Sequence, residues 1–240
     1  MIGKRKVILV GTGFVGMSMA YSILNQGNAS GVNELVLIDV LKDKAIGEAM
    51  DLCHGLPCSP SHMKIKAGEY DECKDADIVV ITAGLSQKPG QTRLELSTAN
   101  AKIMKDITEQ VVASGFKGIF LIASNPVDLM TKVVQEVSGF EPSKVIGSGT
   151  ALDTARLRYL VGEYLNVSNK NVHAYIMGEH GDSSFVPWEH AYVGCKKVSD
   201  ILVDAKKDLS DLDKIYVEVR DAAYEIINRK KATYYGIGLG

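Results

Sequence analysis

An apolar run at residues 7–10 breaks at once into Gly11-Thr12-Gly13-Phe14-Val15-Gly16, and residues 13–25 then take on helical character. No other feature narrows the possible folds so far. A strand delivered into a helix through three glycines at this spacing is the first turn of a β-α-β unit. The first glycine permits the tight turn, the second lets a pyrophosphate approach the backbone, and the third lets helix and strand pack closely. The helix N-terminus then offers unpaired N–H donors and a positive dipole end. A second apolar run, residues 35–40, contains Asp39 near its end. It lies roughly 20 residues beyond the last glycine, the spacing of a carboxylate that receives ribose hydroxyls. Asp39 would repel a 2′-phosphate, and Val40 and Leu41 bring no compensating cation. The pattern therefore predicts NAD rather than NADP.

The same alternation continues. Further apolar runs occupy residues 63–67, 78–82, 119–123 and 144–146, with helical segments at 43–54, 94–114 and 127–137. Several runs are β-branched and nearly continuous, as strands buried on both faces must be. This predicts a Rossmann-type α/β fold, a doubly wound parallel sheet, over residues 1–148. Beyond Gly149 the rhythm changes. A helix (152–164) leads to a strand (172–177), a loop bearing Gly, His and Asp, and a long charged helix (211–229). Residues 149–240 are expected to form an α+β substrate domain.

Composition closes off other classes. Hydrophobic residues make up 46% of the 240, enough for a sizeable core. A net charge of −2 leaves no basic face for a nucleic-acid backbone. No apolar run approaches the ~20 residues of a membrane span, and the basic N-terminal residues precede a strand rather than a signal-peptide core. Cys53, Cys58, Cys73 and Cys195 show no C-x-x-C spacing, so no metal is expected. A reducing cytoplasm is the default compartment.

Four segments beyond the glycine loop carry chemistry. Thr82-Ala83-Gly84 and Ser124-Asn125-Pro126 close two strands, at the carboxyl ends where open α/β sheets bind ligands. Gln87-Lys88-Pro89-Gly90-Gln91-Thr92-Arg93 forms a polar loop after the first. In Asp153-Thr154-Ala155-Arg156 the two charged residues share one helix face. Gly178-Glu179-His180-Gly181-Asp182-Ser183 follows an apolar strand. Together these segments resemble the L-lactate/L-malate dehydrogenase family, in order and over nearly the whole chain.

That resemblance implies an NAD-dependent oxidoreductase of 2-hydroxy acids. It makes His180 the general acid/base, with Asp153 fixing its tautomer and stabilising the imidazolium. Arg156 would grip the substrate carboxylate through a bidentate fork, and Arg93 would polarise the carbonyl, with Asn125 bonding the same region. Gln87 and Thr233 would line the pocket for the substrate side chain. The cofactor site would comprise Gly11, Gly13, Phe14, Val15, Gly16, Asp39, Lys44, Tyr70, Ala83, Gly84, Ser124, Asn125 and Ser148.

Within the family, substrate choice turns on one charge. Oxaloacetate carries a second carboxylate, which is costly to bury without a cation. Malate members usually place Arg where this chain has Gln87, and Ala232 and Thr233 are also uncharged. The expectation is pyruvate/L-lactate, with malate kept open by the neighbouring Lys88. Arg158 lies about 200° around the helix from Arg156 and cannot grip the same substrate. With His173 it resembles the pattern of bacterial lactate dehydrogenases activated by fructose 1,6-bisphosphate, which implies an allosteric site at the subunit interface of a homotetramer. The chain ends in Gly236-Ile237-Gly238-Leu239-Gly240, where the family continues, so the substrate domain reads as incomplete at its C-terminus. A non-enzymatic NAD-binding fragment is the second reading.

Overall fold

In the computed structural model, which describes residues 5–85 and 93–240 (the backbone alone at Asn28 and Arg93), six short strands lie side by side and all run parallel. They are β1 (Arg5–Val10), β2 (Val32–Ile38), β3 (Lys64–Ala67), β4 (Ile78–Ile81), β5 (Ile119–Ile122) and β6 (Val145–Gly147), in the spatial order β3-β2-β1-β4-β5-β6. The order reverses between β1 and β4, the switch point where such sheets bind ligands.

Strand periodicity decides what covers each face. Ile8, Val10, Val36, Ile38, Val79, Ile81, Phe120 and Ile122 point one way. They meet Met104, Ile107 and Val111 of α3 (Arg93–Ala113) and Met130 and Val134 of α4 (Val127–Ser138). Val7, Leu9, Leu35, Leu37 and Val80 point the other way. They meet Ala20 and Leu24 of α1 (Phe14–Gln26) and Ala45, Ala49 and Leu52 of α2 (Lys42–Gly55). Small residues on α1 and α2 let those helices approach closely, while Phe116, Phe120 and Phe140 fill the opposite layer as an aromatic trio with centroids 5.0–5.9 Å apart.

A second compact unit, Gly149–Thr233, has its own core. It contains α5 (Ala151–Leu165), β7 (Val172–His173), the antiparallel hairpin β8 (Tyr192–Val193) and β9 (Lys196–Lys197), α6 (Val198–Asp204) and α7 (Asp211–Lys230). Leu157 and Val161 of α5 pack with Val172, Val198, Leu202, Leu212, Ile215 and Val219. The strand expected over 172–177 is shorter than its apolar run. Only Val172 and His173 join the sheet, and Met177 makes an isolated bridge to Phe185. The reason is that α5 takes the backbone of Ile176. Its N–H donates to Thr154 Oγ1 (3.0 Å), and its carbonyl accepts from Thr150 Oγ1 (2.7 Å).

The final helix, α8 (Tyr235–Leu239), packs on α1 and belongs with the first unit, whereas its position in the sequence groups it with the second. Gly238 makes this possible: a Cβ there would stand 2.6 Å from both Met19 N and Ser18 Cβ. Tyr234 stacks on Phe14 at 5.0 Å. The first unit is therefore assembled from two stretches of chain, one on each side of the second. No helix among the described residues is long and apolar enough to cross a membrane.

Phe120 is fully buried at the centre of the aromatic trio. Phe120→Ala should lower the unfolding free energy of the first unit by about 3–5 kcal/mol. Urea unfolding followed by far-UV circular dichroism measures it; a loss under about 1 kcal/mol would place Phe120 outside a close-packed core.

Candidate active site

The three glycines of the first turn have three different physical reasons. Gly11 sits at φ +103°, where an added Cβ would also lie 2.6 Å from the backbone N of Ala83. A Cβ on Gly16 would stand 2.1 Å from the carbonyl oxygen of Gly11 and 2.7 Å from Thr82 Oγ1, so helix and strand touch through the missing side chain. Gly13 has an ordinary φ of −76°, and no atom lies within 4 Å of where its Cβ would be. Neither the backbone nor internal packing calls for glycine at Gly13, and the open space in front of it suits an incoming phosphate. The first turn of α1 carries N–H groups with no intrahelical partner and no side-chain cap. This cradle fits a dinucleotide.

Asp39 stands at the carboxyl end of β2, bound to the same turn. Its Oδ2 accepts from Thr12 N (2.7 Å) and Thr12 Oγ1 (2.8 Å), and its Oδ1 accepts from Leu41 N (3.0 Å). Burial works to raise its pKa, but these donors and the charge of Lys44 hold it below the ordinary 3.8. It is a fixed carboxylate with part of its accepting capacity left over. The pairing with Thr12 has no counterpart in the sequence pattern, where Thr12 is only the variable residue between two glycines.

Ala83, Gly84, Ser124, Asn125 and Ser148 lie at the carboxyl ends of β4, β5 and β6. Ser124 Oγ donates to the carbonyls of Ala83 (2.6 Å) and Ile81 (3.2 Å), so its hydroxyl ties two strand ends together. Ser148 N donates to Ile122 O (2.8 Å). Asn100, buried on α3, was not singled out by sequence. Its Oδ1 accepts from Leu85 N (2.8 Å), and its Nδ2 donates to Asn125 O (3.0 Å), bracing the chain beside Gly84. The only signal for it is an amide on the otherwise apolar face of an amphipathic helix. Phe14 is exposed and Val15 half-buried on the first turn of α1, and Lys44 opens α2. Burial first, then nearby acids such as Asp106, push the Tyr70 phenol to about 12, which keeps it protonated.

In the second unit, Asp153, Arg156 and His180 come together. Asp153 is buried in the first turn of α5. Its Oδ2 lies 2.5 Å from His180 Nδ1, and its Oδ1 accepts from Arg156 Nη1 at 3.1 Å. Burial works to raise the carboxyl, but the bond and charge of His180 and the Arg156 guanidinium lower it below 3.8. An ionised Asp153 accepts, so Nδ1–H of His180 donates. The His180 loop turns at Gly178 (φ +94°) and is closed by paired bonds between Met177 and Phe185 (2.9 and 3.0 Å). A cavity of about 120 Å³ opens over the group, lined also by Gly181, Asp182, Ser184, Arg220 and Tyr224.

Arg158, two residues beyond Arg156, reaches elsewhere: its Nη2 donates to Lys170 O at 3.3 Å, and its buried Nε has no hydrogen-bond partner among the described residues. His173 is exposed on β7. Thr233 is half-buried between α7 and α8 and does not line the cavity. Gln87 and the side chain of Arg93 lie outside the described residues.

Comparison with known proteins gives one answer throughout. Residues 5–147 match the lactate/malate dehydrogenase NAD binding domain, and residues 150–240 match the lactate/malate dehydrogenase alpha/beta C-terminal domain. L-lactate dehydrogenase 2 of Bacillus cereus is 57% identical over 238 residues, covering 99% of this chain and 75% of its own length. L-lactate dehydrogenase 1 of the same species is 55% identical with the same coverage. Among solved structures, a lactate dehydrogenase from a Medee basin deep-sea metagenome library superposes with a TM-score of 0.94 at 57% identity, over 98% of this chain and 74% of that one. The minor L-lactate dehydrogenase of Enterococcus mundtii in its ligands-bound form gives 0.94 at 50% identity, with the same coverage of both chains.

NAD is thus the cofactor that the first unit is built for, and Asp39 is the expected source of selectivity against a 2′-phosphate. NADH should bind at least about thirtyfold more tightly than NADPH, on the order of 2 kcal/mol of repulsion and lost ribose bonding. Fluorescence titration with both dinucleotides measures this. Asp39→Ser should narrow the gap, and equal dissociation constants in the parent would remove Asp39 from that role.

Proposed function

The chain belongs to the lactate/malate dehydrogenase family, and on that premise we propose that it reduces pyruvate to L-lactate reversibly, with His180 as general acid/base. One observation carries the reading: Asp153, Arg156 and His180 are joined by hydrogen bonds around a single cavity. Bound NADH supplies the hydride; the chain's own groups supply charge and a proton. Asp153 holds the ring so that Nε2 gives its proton to the carbonyl oxygen of the substrate, and in the oxidative direction Nε2 removes the hydroxyl proton. Arg156, with one nitrogen on Asp153, keeps further donors for the substrate carboxylate. Arg93 is assigned to the developing charge on the carbonyl oxygen, and Asn125 to the same region. Gln87 and Thr233, both neutral, suit the pyruvate methyl group better than a second carboxylate.

The test is NADH oxidation with pyruvate and with oxaloacetate. The parent should prefer pyruvate. His180→Asn should lose ~10²–10⁴-fold in turnover while still binding NADH. Gln87→Arg should move the kcat/KM ratio toward oxaloacetate by ~10²-fold or more, because the new guanidinium pairs with the second carboxylate and is left unpaired by pyruvate. A parent that prefers oxaloacetate makes this the malate branch; one that binds NADH and turns over neither substrate is an NAD-binding fragment.

The assembly we infer is a cytoplasmic homotetramer regulated by fructose 1,6-bisphosphate, which would meet Arg158 and His173 from paired subunits. Support comes from the unpartnered Nε of Arg158, the exposure of His173 and the four free cysteines. Sedimentation with the bisphosphate should shift the parent, but not Arg158→Ala, toward the larger species. An unchanged distribution in the parent would return both residues to ordinary structural roles.

A further inference from the structure

Asp153 and His180 stand on different elements, 27 positions apart, yet their contact is 2.5 Å. Something must set the register between α5 and the loop that carries His180. The loop is tied at three places. Its two ends are joined by the paired backbone bonds of Met177 and Phe185. Tyr216 of α7 donates to the carbonyl of Ser184. The third tie is the clamp on Ile176, four residues before His180, where Thr150 and Thr154 bond its carbonyl and its N–H. Besides the His180–Asp153 contact itself, this third tie joins the segment leading into the loop to the helix bearing Asp153.

The two threonines bracket Asp153 in sequence, at the N-cap and in the first turn of α5. Ile176 is buried and lies outside the sheet ladder. Without the hydroxyls its N–H and carbonyl would be buried and unpaired, which native structures avoid. A segment so anchored cannot slide along α5 without breaking both bonds at once. We propose that Thr150 and Thr154 are positioning residues that fix the Asp153–His180 contact by locking Ile176 to α5. The role rests on the acid/base assignment given above for its consequence in turnover, but the contact itself exists without substrate.

Other titratable or charged groups line the same cavity as His180: Asp153 and Arg156 from α5, Asp182 on its own loop, and Arg220 and Tyr224 from α7, while Glu179 is its neighbour in sequence. Glu179 bonds Ser183, and Arg220 bonds Asp221. The Nδ1 of His180 is bonded to Asp153, so a changed Nδ1–H signal reports that contact directly.

The experiment is a pH titration of 15N-histidine-labelled chain by NMR, without substrate. Thr154→Val keeps the shape but cannot accept from Ile176 N–H. It should weaken the downfield Nδ1–H signal of His180 and lower the imidazole pKa, on the order of one unit. Thr154→Ser keeps the acceptor and should restore the parent values. Thr150→Val, which removes the other bond and spares the buried N–H, should move both readouts the same way and serves if Thr154→Val fails to fold. With pyruvate, Thr154→Val should lose about tenfold in kcat with KM nearly unchanged, and its rate should fall at lower pH than the parent's, because reduction needs the protonated ring. A His180 signal and pKa in both valine variants equal to the parent's would overturn the proposal. So would a serine variant no better than valine. A parent inactive on pyruvate whose His180 signal still responds to Thr154→Val would overturn the catalytic reading and leave the positioning role standing.

Discussion

One close approach governs most of what surrounds it: α1 rests on the sheet through Gly16, where an added Cβ would stand 2.1 Å from the Gly11 carbonyl oxygen. A methyl group there would push the helix off the sheet. Because the helix sits so close, its unpaired first-turn donors arrive at the end of β1, beside the switch point, rather than out over solvent. The same turn places Thr12 against Asp39, coupling the phosphate loop to the carboxylate on the next strand. On its other side α1 is met by a second glycine, Gly238 of α8. One helix thus sets the cofactor cradle and anchors the end of the described chain.

Two carboxylates organise the chemistry, and both are kept ionised by local donors against the pull of burial. Asp39 is held by three bonds from Thr12 and Leu41, all neutral donors. Asp153 is held by a guanidinium and an imidazole, and in the proposed reaction it would favour the proton on His180. The division is physical. A carboxylate bonded only by neutral N–H and O–H groups keeps more of its negative field toward a ligand, whereas one bonded by a guanidinium is partly neutralised and orients its partners.

Much of this was legible in the sequence, and the reasons differ by residue. The sheet was readable because strands buried on both faces need uninterrupted apolar runs, and six of them follow one another. The glycines were readable because their spacing is dictated by contacts within one turn. Asp153, Arg156 and His180 were readable only as motifs matched to a family, since nothing in either segment says that one will touch the other. What escaped has a common physical character. Thr12 on Asp39, Asn100 on Leu85 and Asn125, and the two threonines on Ile176 are bonds from side chains to distant groups, mostly backbone. Such bonds leave no periodicity. They also misled the strand assignment at 174–177, where an apolar run follows α5 instead of a sheet.

The return of residues 234–239 to α1 bears on how the chain is made. The glycine-rich cradle and the six strands of the parallel sheet are synthesised before the second unit begins, yet the helix that covers α1 is synthesised after residues 149–233. Until then Phe14 lacks its stacking partner Tyr234, and the outer side of α1 near Ser18 and Met19 is open. Domains on a growing chain generally fold in order of synthesis. Here the unit that starts first is covered by residues that come after the 149–233 stretch, so the nascent Rossmann unit waits, partly uncovered, until that stretch has been translated.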